Sequence, residues 1–144
     1  MKDSQLETKL RLISIQLDNW KKLHDLITYG LDKSKPIISS EQERQFTEIR
    51  SYLLQESQHI LTRLDLMKEL SGKVMNVLQR ASSVRAVREL PGDEARRMET
   101  EWNGVFTKLS VAEGQFKSRR KELADQTPFT YYWNRLLRRT AAAH

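Results

Sequence analysis

Two segments of this chain repeat apolar residues at steps of three and four, and each of these repeats contains a tryptophan. Such spacing keeps one stripe of an α-helix turned toward partner helices, so it predicts long amphipathic helices packed side by side. The first stripe consists of Leu6, Leu10, Ile13, Leu17, Trp20, His24, Ile27 and Leu31. The second stripe consists of Ala95, Met98, Trp102, Val105, Leu109, Ala112 and Phe116.

The composition favours one all-helical domain. The chain has 144 residues, of which 38% are hydrophobic and 31% charged, with only 5 Gly and 3 Pro. These proportions are typical of long amphipathic helices and leave little room for strands and tight turns. The absence of Cys excludes disulfides and thiolate chemistry. No signal peptide and no run of about 18 apolar residues is present, so we expect a soluble, cytoplasmic chain.

Capping signals and prolines predict where the first two helices begin and end. The first helix is expected from about Asp3 to Leu31, and it ends before Pro36, which disfavours helical backbone in the preceding residue. The second helix is expected to open at Ser40, because Ser40 and Glu43 have the spacing of a capping box.

The apolar spacing of the second helix continues without interruption to about Val84. A helix of that length would measure about 60 Å or more at 1.5 Å per residue. It would be longer than the other two helices. We therefore expect a bend at Ser71-Gly72 or Ser82-Ser83, where weak helix formers occur. The third helix is expected to start beside Asp93-Glu94 and to run to about Asp125.

These elements predict an all-α, elongated, antiparallel three-helix bundle over residues 1–126, followed by a short amphipathic helix and tail over residues 127–144. Thr127-Pro128 reads as a helix cap followed by proline at the first helical position. Five aromatic and apolar residues fall on one face of this C-terminal segment, and three arginines lie on or beside the other. The candidate binding residues are Phe129, Tyr132, Trp133, Arg135, Leu137, Arg138 and Arg139.

Positive charge is concentrated in the last part of the chain. Residues 115–144 contain seven basic and two acidic side chains, a net of +5 out of +6 for the whole chain. This asymmetry makes the C-terminal region a candidate contact for acidic protein, phospholipid or nucleic acid, with solubility as the alternative explanation. Nucleic acid is the least favoured of these, because no helix-turn-helix, zinc-finger or sheet-borne aromatic motif accompanies the charge.

No pattern in the chain indicates catalysis, a metal or a cofactor. Glu56 and His59 have the spacing of a di-iron helix, but such a site needs a second copy, and Lys21 stands three residues before His24 instead. No glycine-rich phosphate loop and no glycine-flanked nucleophilic serine is present. We therefore expect a non-enzymatic protein in which His24 packs among apolar side chains and binds no metal.

Three long antiparallel helices, with Trp20 in the first and Trp102 in the third, resemble the spectrin repeat. The segment Trp102-Asn-Gly-Val-Phe-Thr-Lys-Leu109, followed by Arg119-Arg-Lys-Glu-Leu123, is similar to the last helix of that family. The resemblance covers roughly Leu6 to Ala124. It implies a spacer or docking module of a larger cytoskeletal or membrane-linked protein, as in spectrins, actinins, dystrophin relatives, plakins and nesprins.

The resemblance to nesprins extends to the C-terminal segment, because Tyr131-Tyr-Trp-Asn-Arg-Leu-Leu-Arg-Arg139 looks like an aromatic and basic approach to a membrane anchor at the nuclear envelope. The expected function is thus a scaffold that binds an unidentified protein partner. One alternative is a module whose Phe129, Trp133 and Leu137 enter the headgroup region of an acidic membrane. The other is a four-helix adaptor or sensor in which this segment folds back on the bundle.

Overall fold

The computed structural model describes residues 3–125 and 135–137, and every regular element in these ranges is an α-helix. The helices are α1 (Ser4–Leu31), α2 (Ser40–Arg63), α3 (Met67–Arg80), α4 (Val84–Arg88) and α5 (Gly92–Asp125). Residues 135–137 add a single helical turn. The all-α class predicted from the sequence is confirmed.

Four of these helices form a closed ring. α1 packs on α2, α2 on α3, α3 on α5, and α5 back on α1, while the short α4 packs on α1. Neighbours run antiparallel. The start of α1 lies beside the end of α5, and α3 contacts Lys108 of α5 near its own start but Glu101 near its own end. The described residues therefore form an up-and-down four-helix bundle in which α4 belongs to the connection between α3 and α5.

The expectation of three long helices is not met, because the predicted second helix turns back on itself after Arg63. Asp65 has a φ of 61°, the left-handed conformation that ends many helices. The Leu66 N–H donates to the Leu61 carbonyl at 2.8 Å, and the Asp65 N–H donates to the Thr62 carbonyl at 3.2 Å. This pair of bonds is a Schellman motif, and it converts one predicted helix into the antiparallel pair α2 and α3.

We expect substitutions at Asp65 to show that this turn is conformationally demanding. Asp65→Val should lower the free energy of unfolding by about 1–2 kcal/mol, because a side chain branched at Cβ resists left-handed backbone. Asp65→Gly should leave stability unchanged or raise it by up to about 1 kcal/mol, since glycine adopts that backbone without strain. Urea unfolding followed by circular dichroism measures both values. Equal losses for the two variants would contradict the left-handed turn.

Two smaller expectations are also corrected. The N-cap of α2 is Ser39 and not Ser40, because the Ser39 hydroxyl accepts from the Gln42 N–H at 3.2 Å while the Gln42 side chain accepts from the Ser39 N–H at 3.1 Å. Ser71-Gly72 lies inside the uninterrupted α3. The expected break at Ser82-Ser83 is present, since α3 ends at Arg80 and Ser83 caps α4.

The bounds of the two outer helices agree with the sequence prediction. The carboxylate of Asp3 caps α1 by accepting from the backbone N–H groups of Gln5 and Leu6. α5 begins beside Asp93 and Glu94 and ends at Asp125. All four long helices supply the core, whose largest fully buried side chains are Trp20, Phe46, Ile13, Leu23, Ile27, Leu53, Ile60, Leu61, Leu70, Leu78, Met98 and Leu109.

Candidate functional site

The two tryptophans form the centre of the interface between α1 and α5. Trp20 is 1% exposed and Trp102 is 7% exposed. The indole N–H of Trp102 donates to the backbone carbonyl of Trp20 at 3.2 Å, and the indole N–H of Trp20 donates to the Gln16 side chain at 3.2 Å. Both tryptophans thus lie in the core, where the apolar stripe predicts them.

The apolar stripe predicts that His24 packs among apolar side chains. In the structure it also has a charged partner. Its ring stacks on Trp102 with the centroids 3.8 Å apart, and its Nε2 lies 2.9 Å from a carboxylate oxygen of Glu99. The side chain is half-buried, because it occupies the rim of the interface where the polar side of α5 begins. Phe106 stacks on Trp102 in turn, with Lys21 above the Phe106 ring. These contacts are those of a packed helix interface.

The other candidate metal ligands lie on the surface of α2. His59 is exposed, and Glu56 is half-buried beside Tyr52. Burial raises the pKa of the Tyr52 hydroxyl, and the negative charge of Glu56 adds to this effect. Within residues 3–125 and 135–137, no group of three or more potential metal ligands comes together.

Most of the candidate binding residues of the C-terminal segment lie outside the described residues: Phe129, Tyr132, Trp133, Arg138 and Arg139. Arg135 and Leu137 belong to the helical turn 135–137, where both are exposed. In the part of the chain that the structure describes, no helix has the length and apolarity needed to cross a bilayer.

The bundle has a proximal end, where α1 begins and α5 ends. Glu7 of α1 and Arg120 of α5 form an ion pair at 3.7 Å. An open groove of about 600 Å³ lies between these two helices, with Leu6 and Leu123 in its lining. Four exposed basic side chains lie near the end of α5: Lys117, Arg119, Arg120 and Lys121.

The distal end is formed by the connection between α1 and α2, residues 32–39, together with α4. Arg88 of α4 fixes this connection, because its guanidinium donates to the carbonyls of Gly30, Asp32, Lys35 and Pro36 at 3.2–3.4 Å. The Tyr29 hydroxyl also donates to the Pro36 carbonyl, at 3.1 Å. These contacts tie α4 to the connection between α1 and α2.

Gly30 allows α4 to lie against the last turn of α1. A Cβ atom on Gly30 would lie 2.9 Å from Val84 Cγ1 and 3.1 Å from the Val84 carbonyl oxygen. Real side chains do not approach this closely, so only glycine permits this packing. The close approach brings Arg88 within reach of the carbonyls at the end of α1.

A second open groove, of about 350 Å³, lies on the distal end, and we call it the distal groove. Ile38 and Val84 form its apolar floor and are buried, whereas Ile37 is 75% exposed. Its complete lining consists of Ile37, Ile38, Val84, Arg85, Arg88 and Glu89. Sequence reasoning did not find this groove. The available signal was Pro36-Ile37-Ile38, two apolar residues after a proline in an otherwise polar connection.

The two ends of the bundle each carry an open groove with apolar and charged side chains. The proximal end combines an apolar groove with clustered cations, and the distal end combines an exposed isoleucine with a partly charged rim. Comparison of the chain with known proteins found no matching family model, no matching curated protein and no matching solved structure.

Proposed function

We propose that this chain is a non-enzymatic docking module of a larger assembly. The observation that carries the proposal is that α1 begins and α5 ends at the same end of the bundle, where Glu7 and Arg120 meet. The start of α1 and the end of α5 therefore both lie at the proximal end. The distal end lies about 42 Å away along the 28 residues of α1.

This topology favours a docking module over an in-line spacer. A spacer that extends an array needs its two chain connections at opposite ends, which an odd number of antiparallel helices supplies. Four antiparallel helices return the chain to its starting point. A relationship to the spectrin repeat stays a prediction that rests on the apolar stripes of α1 and α5. A four-helix bundle favours the docking role implied by that resemblance over the spacer role.

A second candidate function is attachment of the proximal end to an acidic membrane. The exposed cations near the end of α5 favour it, because Arg119 and Lys121 make no ion pair with a described residue. The sequence places three further arginines at positions 135, 138 and 139. In this arrangement the proximal end faces the anionic surface and the distal end faces away from it.

We expect a chain that ends at Gln126 to bind acidic vesicles at least about tenfold more weakly than the full chain, since each basic residue near such a surface contributes about 1 kcal/mol. Its melting temperature should be nearly unchanged, because the ring of helices is complete at Asp125. Vesicle co-sedimentation and thermal unfolding measure the two quantities. Neutral vesicles and added salt serve as controls, since both should abolish binding.

The full chain carrying Arg135→Gln, Arg138→Gln and Arg139→Gln separates charge from apolar contact. It should lose most of the vesicle binding that the shortened chain loses. A large drop in the melting temperature of the shortened chain would instead assign residues 127–144 to the bundle, and the membrane candidate would have to be abandoned. The docking module itself does not depend on that result.

A further inference from the structure

Two buried polar side chains interrupt the apolar core of the bundle. Gln16 of α1 is 1% exposed and Ser57 of α2 is 5% exposed. The side-chain nitrogen of Gln16 and the hydroxyl of Ser57 have no hydrogen-bond partner among the described residues. A polar group in this position has given up its bonds to bulk water, and native proteins pair nearly all such groups. Both groups therefore need a partner inside the core.

The two groups lie at the same level of the bundle. Three residues within 22–26 of α1 and three within 45–49 of α2 line one open groove, so these stretches lie side by side. Gln16 is eight residues before the middle of the first stretch. Because the helices run antiparallel, it is level with the position eight residues after the middle of the second stretch, residue 55. Ser57 is two residues further on, about 3 Å along the bundle axis.

Both side chains point toward the centre of the bundle. The residues one turn away on either side of each share its helix face and are fully buried apolar side chains: Ile13 and Trp20 on α1, Leu53 and Leu61 on α2. Ser57 is the smallest of the buried residues of α2. A serine side chain is smaller than that of leucine by more than the volume of a water molecule, so a serine at this position leaves room for one.

The two unpartnered groups match the bonding pattern of a water molecule. The Oε1 atom of Gln16 accepts from the indole N–H of Trp20 at 3.2 Å, and this bond fixes Nε2 as the free end of the amide. Nε2 can only donate, whereas the Ser57 hydroxyl can both donate and accept. A water molecule accepts from the amide and forms a second bond with the hydroxyl, so one molecule satisfies both groups.

We infer that the centre of the bundle binds one internal water molecule, which bridges Gln16 Nε2 and Ser57 Oγ. This site belongs to the core and is independent of the proposed docking function. A shift of α2 by one helical turn along α1 would move the two groups apart by about 5.4 Å and leave both buried without a partner. The water site therefore favours the observed register of α1 and α2.

Oxygen-17 magnetic relaxation dispersion of the full chain counts water molecules that stay inside a protein for longer than its rotation takes. The dispersion amplitude of Ser57→Ala should be lower than that of the unchanged chain by one such molecule. Ser51→Ala is the matched control, because Ser51 is an exposed serine on the same helix. It should leave the amplitude unchanged. Equal amplitudes for the unchanged chain and Ser57→Ala would overturn the inference.

The sign of the stability change in Ser57→Ala tests the same site. Removal of a hydroxyl that has no partner would raise the folding equilibrium constant, since the buried penalty disappears and alanine favours helix. Removal of a hydroxyl that holds the bridging water should instead lower this constant about threefold or more, because the amide of Gln16 loses its partner as well. Ser51→Ala should raise the constant through helix propensity alone. Urea unfolding measures all of these changes, and a rise in both variants would contradict the water site.

A direct hydrogen bond between Gln16 and Ser57 would give a different combination of results. Ser57→Ala would then lower the folding equilibrium constant, while its dispersion amplitude stayed equal to that of the unchanged chain. This outcome would replace the water site with a direct contact and overturn the inference. Vesicle binding should be the same in Ser57→Ala and in the unchanged chain, so the proposed functions of the proximal end are tested separately.

Discussion

Replacing Trp20 with alanine is expected to lower the free energy of unfolding by about 3–5 kcal/mol, the range for truncating a large buried aromatic side chain. Trp20 is fully buried at the interface between α1 and α5, the pair that closes the ring. The substitution also removes the indole N–H that donates to the side-chain oxygen of Gln16. The side-chain nitrogen of Gln16 already has no partner among the described residues. A buried polar group left without a partner adds to the cost of the cavity.

Urea unfolding at constant temperature, followed by far-ultraviolet circular dichroism, measures the effect. Ile15→Ala is the control on the same helix, because Ile15 is 38% exposed, against 1% for Trp20, and its replacement should cost less than about 1 kcal/mol. A domain of this size has about 5–15 kcal/mol of stability in total, so the tryptophan variant should unfold at a much lower urea concentration. A loss no greater than that of the control would place Trp20 outside the core.

Gly30→Val is expected to lower the free energy of unfolding by about 1–3 kcal/mol, because extra atoms in a packed contact force neighbouring backbone to move. The nearest atoms include the carbonyl oxygen of Val84, which belongs to backbone and has little freedom to move aside. α4 must therefore move away from α1, and the Arg88 guanidinium moves with it.

Gly72 and Gly114 provide the matched comparison. Both lie inside helices, and a Cβ atom on either would meet no atom within 4 Å. Alanine at these positions should raise the free energy of unfolding by about 0.4–1 kcal/mol, since it reduces the freedom of the unfolded chain and favours helix. If valine at position 30 proved as harmless as these changes, the close packing of α4 on α1 would be excluded.

The sequence predicts most helices correctly because their ends carry local signals. Asp3 caps α1, and Asp93 and Glu94 mark the first turn of α5. The reversal at Asp65 was missed because the residue in the left-handed position is aspartate, whereas glycine or asparagine is the usual signal. The apolar positions also continue in phase across the turn, so periodicity alone describes α2 and α3 as one helix.

The choice between Ser39 and Ser40 as the cap of α2 shows another limit of local patterns. Ser39 with Gln42, and Ser40 with Glu43, both satisfy the capping-box spacing, and only the entry of the chain into the helix decides between them. The distal groove could not be predicted from the sequence for a different reason. The contact between Arg88 and Gly30 joins residues 58 positions apart, which no local pattern encodes.

The position of the start of α1 beside the end of α5 also determines how the bundle responds to tension. A pull applied to these two points acts on α1 and α5 at the end where Glu7 meets Arg120. The contacts between these helices then separate in order, with the ion pair first, Lys9 and Phe116 next, and Trp20 with Trp102 last. Tension at the proximal end thus breaks the contacts between α1 and α5 one after another. A pull between opposite ends of the bundle would act on all of these contacts at the same time.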